Sequence, residues 1–161
     1  MAELHAVEWA ICPLKKYAVF SGRAPRAEYW WFSLGVMLCA VVFDFLERLA
    51  PDTDLLSAIF DLAIIVPSIA VTVRRLHDTD RPGWWVLIFV APVVVVMTAA
   101  VWMGISGVEP DRFYAFFLIM GFAMIVDLIA LFVFMARPGS VGPNRYGPDP
   151  YGPDQLEEVF A

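Results

Sequence analysis

Two cysteines and two histidines are all that the chain holds of the residues that most often bind metals or form covalent intermediates. Cys12 lies in the N-terminal segment and Cys39 in an apolar run, so there is neither a disulfide framework nor a metal-ligand spacing. His77 has only the distant His5 for company, and a hydrolytic metal centre needs more ligands than that. No Gly-rich phosphate loop, nucleophile elbow or Cys/His array occurs. The chain is therefore expected to carry no metal and no cofactor and to be no enzyme; lipid-headgroup chemistry is the one enzymatic class left open. Charge is scarce as well. Of 161 residues 17 % are charged and 60 % hydrophobic, a balance that a soluble domain of this size cannot bury. Residues 1–25 carry Glu3, His5 and Glu8 where a cleavable leader has a basic start, so the first spanning helix is expected to serve as the insertion signal.

What fills the chain instead is long hydrophobic runs. Four are long enough to cross a bilayer, at about 30–49, 55–73, 84–104 and 113–135, since ~20 helical residues cover the hydrocarbon core. Asp52-Thr53-Asp54 and Glu109-Pro110-Asp111 precede the second and fourth with capping chemistry. Thr79 or Asp80 is expected to cap the third, with Pro82 in its first turn, and Arg137-Pro138-Gly139 to stop the fourth. Pro67 inside the second run predicts a kink, tolerated because neighbouring groups can satisfy the freed backbone. The expected fold is all-α, an integral membrane four-helix bundle with short loops. Residues 1–29 form an N-terminal segment and 136–161 a Gly/Pro-rich tail. Residues 3–12 predict a short amphipathic helix ended by Pro13, with Leu4, Val7 and Ile11 on one face, lying partly in the membrane interface. The tail's composition favours an extended, solvated chain.

Charge placement predicts orientation. Nine of the eleven Lys and Arg fall in three segments, Lys15 to Arg26, Arg74 to Arg81 and Arg137 to Arg145; the two outer loops hold only Arg48 and Arg112. The positive-inside rule then puts both termini in the cytoplasm. Three stretches lie on that side: Phe20-Ser-Gly-Arg-Ala-Pro-Arg-Ala-Glu-Tyr-Trp-Trp-Phe, Arg74-Arg-Leu-His-Asp-Thr-Asp-Arg-Pro-Gly-Trp-Trp, and Gly142-Pro-Asn-Arg-Tyr-Gly-Pro-Asp-Pro. In order and spacing, over about residues 14–150, they resemble the bacterial inner-membrane family called domain of unknown function 805. The resemblance implies a four-span inner-membrane protein and no particular activity. In that family the position after Asp-Thr is commonly Gly, where this chain has Asp80.

Two groups of residues are candidates for function. The first is Arg23, Arg26, Glu28, Arg74, Arg75, His77, Asp78, Arg81, Trp84, Trp85, Asn144 and Arg145, which topology puts near one membrane face. Guanidiniums grip phosphate through forked hydrogen bonds, so this Arg/Trp surface suits anionic lipid headgroups, a partner protein or a second copy of the chain. The bland reading is a set of topogenic charges paired internally through Glu28, Asp78 and Asp80. No nucleic-acid partner is expected. The second group is Asp44, Asp61 and Asp127. A carboxylate at mid-helix costs about 2.5–3.5 kcal/mol on insertion scales, so these three suggest a small transporter or proton pathway. Asp44 and Asp61 lie at nearly equal depth, as a proton-sharing pair would, although Asp44 can pair with Arg48 one turn on.

Overall fold

The structure, a computed structural model, describes residues 6–49, 54–107 and 114–152. Leu4, the capping clusters at 52–53 and 109–111, Arg112 and the distal tail lie outside the described residues. The elements are α1 (Ala6–Lys15), α2 (Arg26–Leu49), α3 (Asp54–Asp78), one 3-10 turn at Gly83–Trp85, α4 (Val86–Ser106) and α5 (Tyr114–Ala136). Four stretches, Arg26–Leu49, Leu55–Asp78, Gly83–Ser106 and Tyr114–Ala136, are long and apolar enough to cross a membrane. The protein is all-helical and membrane-spanning, as its hydrophobic runs require. Two compact units divide it, one made of residues 1–83 with 138–161 and the other of residues 84–137.

In the first unit α2 and α3 pack through Ala24, Phe32 and Val71, with Tyr29 and Val36 against them. Farther along, Phe43 meets Phe60 at 4.8 Å between ring centroids. Outside this seam the side chains stay apolar and exposed, among them Met37, Leu38, Val41, Phe45, Leu62 and Ile65. Lipid is the solvent that such a surface fits. Both helices run past the hydrophobic stretches at one end: α2 begins four residues before Trp30, and α3 continues through Arg74 to Asp78. Hydropathy marks where lipid ends, but a helix can continue where polar side chains find partners, as Glu28, Arg74, Arg75 and Asp78 do.

The ends of α3 and α4 differ from the sequence expectation. Thr79 does not cap α4; its hydroxyl donates back to the Leu76 carbonyl at 2.9 Å. Asp80 takes a left-handed backbone with φ 58°, the conformation that commonly closes a helix and favours glycine. Both residues therefore terminate α3, and α4 is entered through the 3-10 turn with no side-chain cap at Trp85. That backbone angle is one that glycine adopts without strain, so the Gly that the resemblance implies at position 80 would fit it. In the second unit α4 and α5 meet through Trp85, Phe89 and Phe134, and Arg137 lies over the Phe134 ring at 5.2 Å.

Pro13 does not act as expected, while at Pro67 a neighbouring group satisfies the freed backbone as the sequence suggests. Pro13 sits inside α1 rather than ending it; losing one N–H leaves the next turn intact, as the Lys16 amide bonds to the Cys12 carbonyl at 3.1 Å. Trp9 and Cys12 face inward while Val7, Ile11 and Leu14 remain exposed. In α3, Pro67 is buried within one continuous helix. Its missing N–H frees the carbonyl four residues earlier, and that carbonyl, of Ala63, accepts a 2.7 Å hydrogen bond from the Tyr17 hydroxyl. The chain from Tyr17 then runs beside α3 until the Ala24 amide bonds to the Arg74 carbonyl at 3.0 Å. Helix geometry makes that climb about 16 Å, within reach of the extended residues between. Tyr17→Phe should therefore lower thermal stability in detergent by about 1–2 kcal/mol. In a Pro67→Ala background, where residue 67 supplies its own N–H, the same change should cost much less. Equal costs in both backgrounds would refute this pairing.

Candidate functional site

The N-terminal end of α2 and the C-terminal end of α3 hold a buried set of charges. Asp78 sits between two guanidiniums: Arg23 Nε donates to one carboxylate oxygen at 2.9 Å and Arg75 Nη1 to the other. Arg74 Nη1 donates to Glu28 at 2.7 Å, and side-chain exposure across these pairs is 0–2 %. The Cys12 thiol, brought in by α1, also hydrogen-bonds Glu28. Burial first, and then the Glu28 charge, push that thiol up to about 11, so it stays a protonated donor at neutral pH. Sequence spacing dictates part of this: Arg75 and Asp78 are three residues apart on one helix face.

The tail completes the set. Arg23, already on Asp78, donates from Nη1 to the Gly142 carbonyl at 2.7 Å and from Nη2 to the Ser140 carbonyl at 2.6 Å. The Ser140 amide bonds to the Asp78 carbonyl at 2.8 Å, and Asn144 Nδ2 to the His77 carbonyl at 2.9 Å. His77 Nδ1 lies 3.1 Å from the Gly22 carbonyl, which can only accept, so that nitrogen carries a proton. The imidazole stacks on Tyr146, centroids 3.9 Å apart and planes 2° from parallel. The segment 138–152 is thus a folded clip, against the expectation of a solvated chain. Its turns come from short side-chain bonds two residues ahead, Asn144 to the Tyr146 amide and Asp149 to the Tyr151 amide, each 2.9–3.0 Å. Backbone bonds from Tyr151 and then Gly142 hold the Asp149 carboxyl below the usual aspartate range.

The predicted Arg/Trp surface accordingly separates into different fates. Arg23, Glu28, Arg74, Arg75 and Asp78 are buried; they are not open to a headgroup, because desolvated charges must pair and these pair with one another. His77 and Asn144 join the three stretches through the bonds above. Arg145 meets Asp80 at the surface, at 3.1 Å. Arg81 is half-buried and bonds locally to the Thr79 carbonyl at 3.5 Å. In the second unit Trp84 is exposed and Trp85 packs on Phe134. Of the charged residues in the set, Arg26 alone is exposed with no hydrogen bond or ion pair among the described residues. It borders an open concavity of about 260 Å³ with Arg23, Asp78, Ser140, Asp149 and Tyr151.

The intramembrane aspartates are not brought together. Asp44 pairs with Arg48 at 2.9 Å in an exposed bridge, and no hydrogen bond or ion pair joins it to Asp61, which is also exposed. The expected proton-sharing pair is absent because Arg48, one turn away, takes the carboxylate first. Asp127 lies in the second unit, half-buried in a groove of about 290 Å³ with Phe89, Val93, Met124 and Leu131. Residues that the sequence reading did not assign to this site include Tyr17, Cys12, Gly139, Ser140 and Asp149. The Asx spacing of Asn144 to Tyr146 and of Asp149 to Tyr151 is the signal that could have found the clip.

Fold and site define a helical membrane protein whose first two spans are tied at one end by a buried polar knot. The chain matches, over residues 17–148, the family described as Protein of unknown function (DUF805), and it belongs to that family. It is 35 % identical over 109 residues to the inner membrane protein YhaI of Escherichia coli K12, covering 67 % of this chain and 92 % of the relative. To the inner membrane protein YhaH of the same organism it is 38 % identical over 93 residues, 55 % of this chain and 77 % of the relative. The uncharacterized protein YiiR of that strain is 33 % identical over 91 residues, 55 % and 60 % of the two chains. No solved structure matches.

The knot's energetics are testable. Removing Asp78 strands two buried guanidiniums, a loss of about 3–5 kcal/mol, whereas the Asp80–Arg145 bridge, 54–58 % exposed, is worth ~0–1 kcal/mol. A Cβ at Gly139 would lie 2.6 Å from the Asp78 Cγ, which is locked by its arginines. Asp78→Ala and Gly139→Ala should both sharply lower the unfolding temperature in detergent, and Asp80→Asn, which removes the charge but suits the left-handed backbone, should barely move it; equal effects at 78 and 80 would contradict the burial.

Proposed function

We propose that this is a non-enzymatic inner-membrane binding module, its knot on the cytoplasmic side, and that the concavity beside Arg26 receives a phosphate-bearing lipid headgroup. The observation that carries the reading is Arg26 itself. It opens α2, where the helix dipole disfavours a cation, and it has no hydrogen bond or ion pair among the described residues. A phosphate there meets a free guanidinium fork and the unbonded amides of a helix start. Arg26 stands four residues, about 6 Å, ahead of Trp30, and aromatic residues of this kind mark headgroup depth. The knot supports the reading by shaping the walls: Arg23 holds both the α3 end and the clip that border the concavity. The orientation follows from the nine basic residues on that side. A small transporter or proton pathway is the second reading, favoured only by Asp127, which has no hydrogen bond or ion pair among the described residues.

In lipid nanodiscs, followed by mild delipidation and native mass spectrometry, Arg26→Gln should cut retained phospholipid about tenfold, the worth of one charge-assisted contact. Arg48→Gln, at the far end of α2, should leave it unchanged. Retention untouched by Arg26→Gln would defeat the proposal.

A further inference from the structure

The charges around the concavity narrow the kind of headgroup it suits. Four ionic side chains border it: Arg23, Arg26, Asp78 and Asp149. Arg23 and Asp78 are bonded to each other and, with Arg75, are spent inside the knot. What remains for a ligand is one free cation and one free anion. The cation is Arg26. The anion is Asp149, whose two oxygens each accept a single backbone N–H, from Gly142 at 2.9 Å and from Tyr151 at 3.0 Å. A carboxylate has about four acceptor positions, so half of them stay open, and no ion pair occupies them among the described residues. These two amide bonds also keep Asp149 ionised.

A carboxylate on the wall of a purely anionic site would oppose its own ligand, since a like charge facing a phosphate is repulsive. A ligand with both signs removes that conflict. We infer that the concavity takes a zwitterionic aminophospholipid headgroup, its phosphate on Arg26 and its primary ammonium on Asp149. The inference rests on the headgroup reading above and adds the second charge. The ammonium matters by type. A primary ammonium has three N–H donors for the open carboxylate positions, while a trimethylammonium has none. The Tyr151 ring, on the same rim, attracts either cation, so the carboxylate is what discriminates. The bilayer is the source because the cation of the pair sits at headgroup depth on a membrane-spanning helix.

The test uses the full chain in nanodiscs holding equal amounts of phosphatidylethanolamine, phosphatidylglycerol and phosphatidylcholine with identical acyl chains, again with native mass spectrometry of retained lipid. The unmodified protein should retain phosphatidylethanolamine about fivefold over each of the others, the worth of one well-placed ion pair. Asp149→Asn should abolish the preference over phosphatidylglycerol while total retention persists, and Arg26→Gln should lower retention of all three. Soluble glycerophosphoethanolamine should displace little; complete displacement would assign the site to a free aminophosphate and overturn the lipid assignment. Preference for phosphatidylglycerol that vanishes in Arg26→Gln would overturn the zwitterion and leave the headgroup site standing. No preference, with Arg26→Gln inert, would overturn both. The lipid comparison on unmodified protein needs no variant to fold.

Discussion

A buried carboxylate between two guanidiniums is the constraint from which the rest of the motif face follows. Asp78 cannot sit unpaired in a dry site, and its partners come from different places: Arg75 from its own helix, Arg23 from the stretch that enters α2. Once Arg23 is drawn in, its remaining donors face outward and capture the Ser140 and Gly142 carbonyls. The tail is therefore held by the same guanidinium that closes the two helices. Gly139 follows from this closeness, because any side chain there would occupy the space of the Asp78 carboxylate. An exposed bridge such as Asp80–Arg145 could not impose such order, since surface pairs are worth ~0–1 kcal/mol.

A second constraint acts deeper along α3. Proline in a spanning helix leaves a carbonyl that lipid cannot satisfy. Tyr17 answers it at Ala63, and in doing so fixes where the N-terminal strap lies against the helix. The strap then delivers Gly22, Arg23 and Ala24 to the C-terminal end of α3. Both ends of that strap are polar anchors in an otherwise apolar surface.

Hydrophobic run length made the four spans legible to within a few residues, because lipid imposes it directly. What stayed hidden was partner choice. The charges of Arg23, Arg74 and Arg75 look alike as letters, and nothing in their spacing to Glu28 across 46 positions says that Arg74 will be spent on it. Thr79 and Asp80 carry chemistry that opens a helix or closes one, and only the backbone angle at Asp80 decides. The tail was misjudged because glycine and proline cannot build a core; here it needs none, since it docks on one already made. Arg26 emerged by subtraction, as the arginine left over once the others were paired.

The central claim is that the three separated stretches interlock through the Arg23–Asp78–Arg75 group. Amide hydrogen exchange of the unmodified protein in nanodiscs reads this most directly, at Ala24 and Ser140, whose N–H groups bond to Arg74 and Asp78 across the stretches. Exchange at both sites as slow as at the adjacent turns of α2 and α3 is the predicted result. Exchange at Ser140 as fast as in an unstructured peptide would contradict it.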